Sequence, residues 1–463
     1  MVVIKEVRLI EKIDLNIARK ISINQAKEYE IIPLYEDGDN VYVAASYDNN
    51  SGEDLLRFLL KKNIVYIRRS KKEVLDLINI ILDYDYENYE EKIFREAIQS
   101  KASDIHFELF QGILNVRFRI NSSLILFRKL KAEEYLQIAS RLKVKAKLDI
   151  TEKRRPQDGK LYIDLDGEIY NCRLSTIPVV GGEKLVLRIM YGEKFLKDIS
   201  ELNFSVEQQK ILRQIIKLKN GLVIFNGPTG SGKSTTLYTI LNMIKGEAIN
   251  ITTLEDPIEV TMPGINQVNL NPKIGLNFAE GLRSVLRQDP DVIMIGEIRD
   301  EETAKMAVRS SITGHKVYST IHTKSPREVY LRLEDMGIKD YLIREALVGI
   351  VSQRLVRILC NKCKEKVGHK IIYDKEVDLY KKVGCISCNK TGYSGRTLVA
   401  SVNYIGFKTK NTLKDIYNRE DILSNKQMID GLNKLIIDGK VDYNDYLEFI
   451  EGEELTCGGN IKV

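Results

Sequence analysis

Residues Gly227–Thr235 read GPTGSGKST and meet the spacing G-x-x-x-x-G-K-[ST] at Gly227, Gly232, Lys233 and Ser234. These residue types suit a bound phosphate. Gly230 and Gly232 carry no Cβ to block an approaching anion. The loop N–H groups and the N-terminus of the helix that follows can point at it. Lys233 can neutralise β- and γ-phosphates, and the Ser234 hydroxyl can ligate Mg²⁺. The candidate nucleotide-binding set is therefore Gly227, Pro228, Thr229, Gly230, Ser231, Gly232, Lys233, Ser234 and Thr235. An ordinary glycine turn before a helix would not need the lysine and the hydroxyl.

Two acidic clusters follow. Ile249–Leu254 runs into Glu255, Asp256, Pro257, Ile258 and Glu259. Carboxylates at a strand end occupy the edge where open α/β sheets place catalytic groups. Asp291 then precedes the apolar run Val292–Ile295, with Gly296 and Glu297 after it. A strand ending in an acid is the Walker B pattern, whose carboxylate holds Mg²⁺ through water or activates the attacking water. Here Gly296-Glu297 replaces the usual aspartate. Surface acids also occur at strand ends, but two acidic clusters beside a phosphate loop favour a catalytic role for carboxylates of both. Val317–Ile321 reads as another strand with His322 at its end. An imidazole there either serves the structure or hydrogen-bonds a γ-phosphate and senses its loss.

Glu152–Gly159, EKRRPQDG, sets Arg154 and Arg155 beside a proline turn. It reads equally as a solvated loop or as an arginine finger that reaches a phosphate on a neighbouring subunit. Cys360-x-x-Cys363 and Cys385-x-x-Cys388 are separated by residues 364–384. Two such knuckles fit a closed, structural Zn²⁺ site, with free thiols or a redox pair as the alternatives. Cys172 lies in an alternating stretch and reads as core.

The elements that must position these groups form five stretches. Residues 1–90 form an N-terminal α/β module, with strands around Asp37-Gly38-Asp39 and a helix capped by Ser70 and Glu73. The acidic segment Asp83–Glu91 reads as a linker or an exposed helix start. Residues 92–195 form an α+β unit with hairpins at Asn121-Ser122-Ser123 and Asp166-Gly167, and with a helix over Glu133–Lys147. Residues 200–358 hold the phosphate loop between the buried strand Leu222–Phe225 and a helix over Thr236–Ile244. Residues 359–400 carry the cysteines. Residues 401–463 are mainly helical, with Cys457-Gly458-Gly459 a frayed tail.

The composition is that of an ordinary globular chain, 463 residues with 43% hydrophobic and 29% charged. A net charge of +6 is too small at this length to argue for nucleic acid. No stretch approaches the ~18–20 apolar residues of a membrane span, and the N-terminus lacks a signal-peptide pattern. A cytosolic chain with peripheral membrane association through partners is expected.

Several motifs now carry a family resemblance: the GPTGSGKST loop, Glu255–Glu259 (EDPIE), Asp289–Asp300 (DPDVIMIGEIRD) and Thr313–Thr323 (TGHKVYSTIHT). Ser103–Glu108 (SDIHFE), Glu152–Gly159, Gln353–Cys363 (QRLVRILCNKC) and Thr391–Arg396 (TGYSGR) extend it. Over roughly residues 95 to 400 the chain resembles the secretion ATPases of the type II secretion and type IV pilus assembly class. The resemblance implies an α/β fold: a RecA-like P-loop NTPase domain preceded by a smaller α+β domain, with a four-cysteine zinc module and a helical C-terminal segment. It implies a homo-hexameric cytoplasmic motor at the inner face of the cytoplasmic membrane. ATP, with Mg²⁺, would bind between the two domains, and its hydrolysis would drive an inner-membrane platform protein and associated assembly proteins. Glu255 falls in the family's acidic Asp box, Glu297 in Walker B and His322 in the His box. Arg154 lies in the arginine motif that meets the phosphates, and Arg173 is a second candidate. The zinc module, with Zn²⁺ on Cys360, Cys363, Cys385 and Cys388, marks assembly rather than retraction motors. No Arg-Leu-Gly repeat accompanies the first module, so no cyclic dinucleotide ligand is expected. A nucleic-acid translocase on the same core is the alternative; the absence of an aromatic–basic stacking platform counts against it.

Overall fold

The computed structural model describes residues 14–18, 20–47, 52–82, 89–191, 198–373, 375–405 and 425–457. Most of the acidic segment at 83–88, and the tail from 458, lie outside the described residues. The chain forms two compact units, 1–98 and 99–463.

In the first unit, helix α1 (Ile23–Tyr29) precedes strands β1 (Ile31–Asp37) and β2 (Asn40–Ser46). These pair antiparallel about the expected turn at Gly38. Helix α2 (Glu53–Leu60) crosses over to β3 (Asn63–Arg69), which pairs parallel to β2. Helix α3 (Lys71–Leu82) starts at the expected cap, where Glu73 N–H donates to Ser70 Oγ at 3.3 Å and Ser70 N–H to Glu73 Oε2 at 2.9 Å. Ile32, Leu34, Val43, Leu56, Val74 and Ile78 fill its core.

The second unit opens with a six-stranded antiparallel sheet. Its strands are β4 (Asp104–Phe110), β5 (Ile113–Ile120), β6 (Ser123–Lys131), β7 (Gln157–Leu165), β8 (Glu168–Val179) and β9 (Gly182–Met190). Their spatial order is β6-β5-β4-β9-β8-β7. Helix α4 (Ala132–Lys145) sits between β6 and β7 in the chain. Its Lys143 meets Glu183 of β9 at 2.7 Å, a buried pair that pins helix to sheet. Strict alternation in β8 buries Cys172 and Leu174 and leaves Arg173 outside. Burial raises the Cys172 thiol to about 12, so this cysteine is inert core.

The larger sheet has seven strands, ordered β12-β11-β13-β14-β10-β15-β18. After α5 (Val206–Lys217) comes β10 (Gly221–Asn226), whose six residues are all buried. Leu222 and Ile224 feed the core on one face, Val223 and Phe225 the core on the other. A strand covered on both sides reads as a continuous apolar run. Helix α6 (Lys233–Ile244) leads to β11 (Ile251–Glu255) and β12 (Asn266–Asn269). Then follow α7 (Phe278–Val285), β13 (Val292–Ile295), α8 (Glu301–Ile312), β14 (Lys316–Ile321) and α9 (Pro326–Asp335). Strands β10 to β14 pair in parallel, and so does β15 (Leu347–Leu359) with β10.

After β15 the chain leaves the sheet for the cysteine knuckles and the hairpin β16 (Glu365–Ile372) and β17 (Lys375–Lys381). It returns as β18 (Tyr393–Tyr404), antiparallel to β15. The cysteine module is thus inserted between two strands of the sheet. Helices α10 (Lys426–Ile437) and α11 (Tyr443–Cys457) follow, and α10 packs on β18 and β17 through Met428, Leu432 and Ile436. Cys457 ends α11. No helix of the described residues is long and apolar enough to cross a membrane.

Candidate active site

The parallel strands place four chain segments at one edge, where each strand ends. The loop after β10 wraps the N-terminus of α6. A Cβ on Gly227, at φ +146°, would collide with the Gln353 carbonyl and with Ser231 Oγ, so this position accepts only glycine. Lys233 is buried, and its ammonium donates to the Gly227 and Pro228 carbonyls at 2.8 and 3.0 Å. Burial first, then the nearby Arg354 charge, lowers its pKa to about 8 against the pull of Glu297 and Glu259. A lysine so desolvated gains most when an anion arrives.

The β11 edge separates two carboxylates that the sequence sets side by side. Glu255 is 4% exposed and already satisfied. It accepts hydrogen bonds from the Tyr238 hydroxyl, from Thr253 Oγ1 and, at 3.1 Å, from Gln267 Nε2. Glu259 instead reaches the phosphate loop. Although the residue is solvent-accessible, the protein around its carboxyl raises its pKa. The nearby Ser234 hydroxyl and the charges of Arg188 and Lys233 pull the other way.

Glu297 follows β13. A Cβ on Gly296 would press on the Leu254 carbonyl at 3.1 Å, which explains a glycine before the acid. Thr320 Oγ1 donates to the Gly296 carbonyl at 2.8 Å, and Ile298 N–H to the Thr320 carbonyl at 3.0 Å. Those bonds tie the turn to β14 and bring Glu297 against His322. Glu297 Oε2 lies 3.6 Å from His322 Nε2, and its Oε1 pairs with Arg299 at 2.6 Å. Partial burial, then the Lys233 charge, lowers the His322 pKa, so the imidazole is neutral at pH 7.

The antiparallel sheet adds a charged row that the linear sequence hides. Register pairs Arg119 with Asp104, Asp104 with Arg188, Arg188 with Arg173 and Arg173 with Lys160. Directly paired residues share a face, so four cations and one carboxylate line five adjacent strands. Asp104 holds Arg188 at 2.9 Å. Lys160 Nζ reaches Asn269 Oδ1 at 3.5 Å, and the same oxygen accepts Ile258 N–H at 3.2 Å, beside Glu259. The row thus faces the acidic edge of the parallel sheet. Arg173 belongs to it. Arg154 does not: its side chain is 90% exposed and pairs with Glu152 at 3.6 Å. Sequence reading missed Arg188, Lys160 and the separate position of Glu259. Alternation marks Arg173 and Arg188 as outward-facing, but only register makes them neighbours.

The four cysteine Sγ atoms lie within 4.8 Å of one another. Three separations are 3.9, 3.8 and 3.7 Å. Ligands about 2.3 Å from a tetrahedral Zn²⁺ stand about 3.8 Å apart. Gly384 N–H donates to Cys363 Sγ at 3.3 Å, and Cys385 and Gly392 N–H to Cys388 Sγ at 3.1 and 3.3 Å. Burial opposes ionisation of Cys388, but those N–H groups and the adjoining thiols lower its pKa to about 6. The donor set fits a tetrahedral, thiophilic cation.

A glycine loop at the end of a central parallel strand, with a histidine ending the adjacent β14 and acids ending β13 and β11 beyond it, defines a P-loop nucleotide-binding fold of RecA type. Residues 85–447 match the family model for the "Type II/IV secretion system protein", and the chain belongs to that family. It is 45% identical over 312 residues to the "Type II secretion system ATPase E" of Vibrio cholerae, covering 65% of this chain and 62% of that one. The chain therefore spans less than two thirds of that relative. It is 34% identical over 465 residues to the "Type IV pilus assembly ATPase PilB" of Acinetobacter baylyi, covering 90% of this chain and 80% of that one. The crystal structure of the pilus retraction motor PilT with bound ADP superposes with a TM-score of 0.51 at 26% identity, over 77% of this chain and 95% of that one. The Legionella pneumophila ATPase DotB shares the fold, with a TM-score of 0.60 at 20% identity over 79% and 95% of the two chains.

Proposed function

We propose that this chain hydrolyses ATP and couples hydrolysis to motion in a type II secretion or type IV pilus assembly machine. The convergence of the buried Lys233 and the Glu297–His322 pair on one sheet edge carries the reading. Lys233 supplies the counter-charge for the β- and γ-phosphates. Ser234 and Glu259 would hold Mg²⁺, which neutralises phosphate charge when bound. Glu297 takes a proton from the attacking water as its oxygen bonds the γ-phosphorus, and the bridging oxygen leaves with ADP. Neutral His322 lies beside the second Glu297 oxygen, at 3.6 Å. Glu255 holds β11 to α6 through Tyr238. Arg173, Arg188 and Lys160 supply further cations for the phosphates, and Arg154 is left to the solvent. The four cysteines hold a structural Zn²⁺.

The family supports a homo-hexameric ring at the inner face of the cytoplasmic membrane, working on a membrane platform protein. The deciding measurement is ATP turnover per chain against protein concentration, with Mg²⁺ and zinc retained. A steep rise to a plateau is expected from a ring, and single-stranded DNA should leave the rate unchanged. Turnover that stays flat and appreciable on dilution refutes the ring. Stimulation by DNA refutes the secretion reading.

A further inference from the structure

Residues 322–325 form the turn that leaves β14, starting at His322 and ending at Ser325, whose Oγ accepts Glu328 N–H at 3.3 Å and caps α9. The turn's Lys324 carbonyl receives two side-chain donors. Arg354 Nη2, from β15, reaches it at 2.7 Å. Asn425 Nδ2, at the start of α10, reaches it at 3.3 Å. One carboxylate holds both donors. Glu453 of α11 meets Arg354 Nη2 through Oε1 at 3.3 Å and Asn425 Nδ2 through Oε2. The Arg354 and Glu453 side chains are only 14% and 6% exposed. Desolvation makes such a pair a weak source of stability, and what it supplies best is a fixed arrangement.

Arg354 also reaches the backbone that packs beside the phosphate loop. Arg354 Nη1 donates to the Gln353 carbonyl at 3.1 Å, the oxygen that packs against Gly227. Gln353 Nε2 donates to Thr236 Oγ1 of α6 at 2.7 Å. The Arg354 charge is felt at Lys233. Two elements of the catalytic edge, the His322 turn and the phosphate loop, therefore meet at one arginine, and that arginine is held by the last described helix of the chain.

We propose that Arg354 and Glu453 are a buried positioning pair through which α11 holds the His322 turn against the phosphate loop. Helix α11 is then a working part of the nucleotide site, and nucleotide and α11 stabilise one another reciprocally. This inference rests on reading the edge as an ATP site. Neither residue is a catalytic group; each acts through the backbone carbonyls that Arg354 holds, those of Lys324 and Gln353.

The test uses the full chain and Glu453→Gln, which keeps the shape and removes the charge. Turnover should fall roughly fivefold, within the coupling range of packed polar networks. KM for ATP should stay within about twofold, because the phosphate contacts remain. Hydrogen exchange across 443–453 should slow when a non-hydrolysable ATP analogue is added to wild type, and should not respond in the variant. Glu453→Asp should recover part of both signals. A structural role alone would lower the melting temperature and leave kcat and the nucleotide response of the folded protein intact. That result overturns the proposal. If Glu453→Gln does not fold, Arg354→Lys carries the same test, since it keeps the charge and loses the fork. A wild-type chain that binds and hydrolyses no ATP, matching Lys233→Ala, overturns the reading beneath the proposal and the proposal with it. Wild-type turnover with an unaffected Glu453→Gln overturns the proposal alone.

Discussion

Replacing Glu297 by glutamine separates catalysis from architecture at this site. The two partners of Glu297 contribute little to stability. Arg299 is 72% exposed, so its pair is worth at most about 1 kcal/mol. His322 is neutral at pH 7 and 3.6 Å away, so no full ion pair is lost. Glutamine fills the same volume. Unfolding free energy should therefore change by about 1 kcal/mol or less. The proton acceptor, in contrast, disappears, which typically costs about 10²–10⁴ in rate. Glu255→Gln should behave in the opposite way. Its carboxylate is buried and accepts from Tyr238, Thr253 and Gln267, and an amide would set one N–H₂ against those donors. A misplaced buried donor costs about 1–3 kcal/mol, so the melting temperature should drop more than turnover does. The assay is phosphate release at saturating ATP, with melting curves and ATP affinity measured on the same preparations. Turnover of Glu297→Gln within threefold of wild type would refute the assignment. A kcat collapse in Glu255→Gln with unchanged stability would move the base to Glu255.

Three further outcomes follow from the site. Phosphate binding favours charged Lys233, whose pKa is about 8 in the free site, so ATP affinity is fully present below pH 8 and falls as pH rises above it. KM for ATP should climb by up to about tenfold per pH unit there; a flat profile, or the same slope in Lys233→Arg, contradicts this. Arg188→Ala and Arg173→Ala should each lower kcat/KM at least about tenfold, while Arg154→Ala stays within about threefold; the reverse ranking returns the role to the EKRRPQDG turn. The purified chain should carry about one zinc by elemental analysis. Cys388→Ser should lose it and melt at a lower temperature, and metal retained in full would dismiss the four-thiolate site.

What was legible in the sequence is what short spacing fixes. The phosphate loop lies between β10 and α6, so its nine residues name themselves. The acids and His322 were legible one step further out. Parallel strands put their C-terminal ends on one edge, so a polar residue after each apolar run lands there without knowledge of strand order. The cysteine pairs set their own ligand geometry, but the insertion between β15 and β18 depended on Tyr393–Tyr404 returning to pair with Leu347–Leu359. Glu255 and Glu259 differ for a similar reason. They stand four residues apart, yet one is buried against Tyr238 and the other is exposed, which packing decides and spacing does not.

The charged row shows where sequence reading runs out and why. Arg119, Asp104, Arg188, Arg173 and Lys160 come from five strands, and each alone looks like an outward residue of an alternating strand. A one-residue slip in any pairing would send part of the row to the other face. Register therefore converts scattered surface charge into a directed one: four cations against the Asp104 and Asp158 carboxylates leave an excess of positive charge beside an edge that carries Glu259 and Glu297. A net field of that sign raises the local concentration of a polyanion and stabilises charge that develops on it. When the anion is absent, the repulsion among the directly paired Arg188, Arg173 and Lys160 is offset by Asp104, Asp158 and Glu259. The row and the acidic edge already meet through Lys160 and Asn269, so a phosphate entering between them would take cations from carboxylate and amide partners rather than from water.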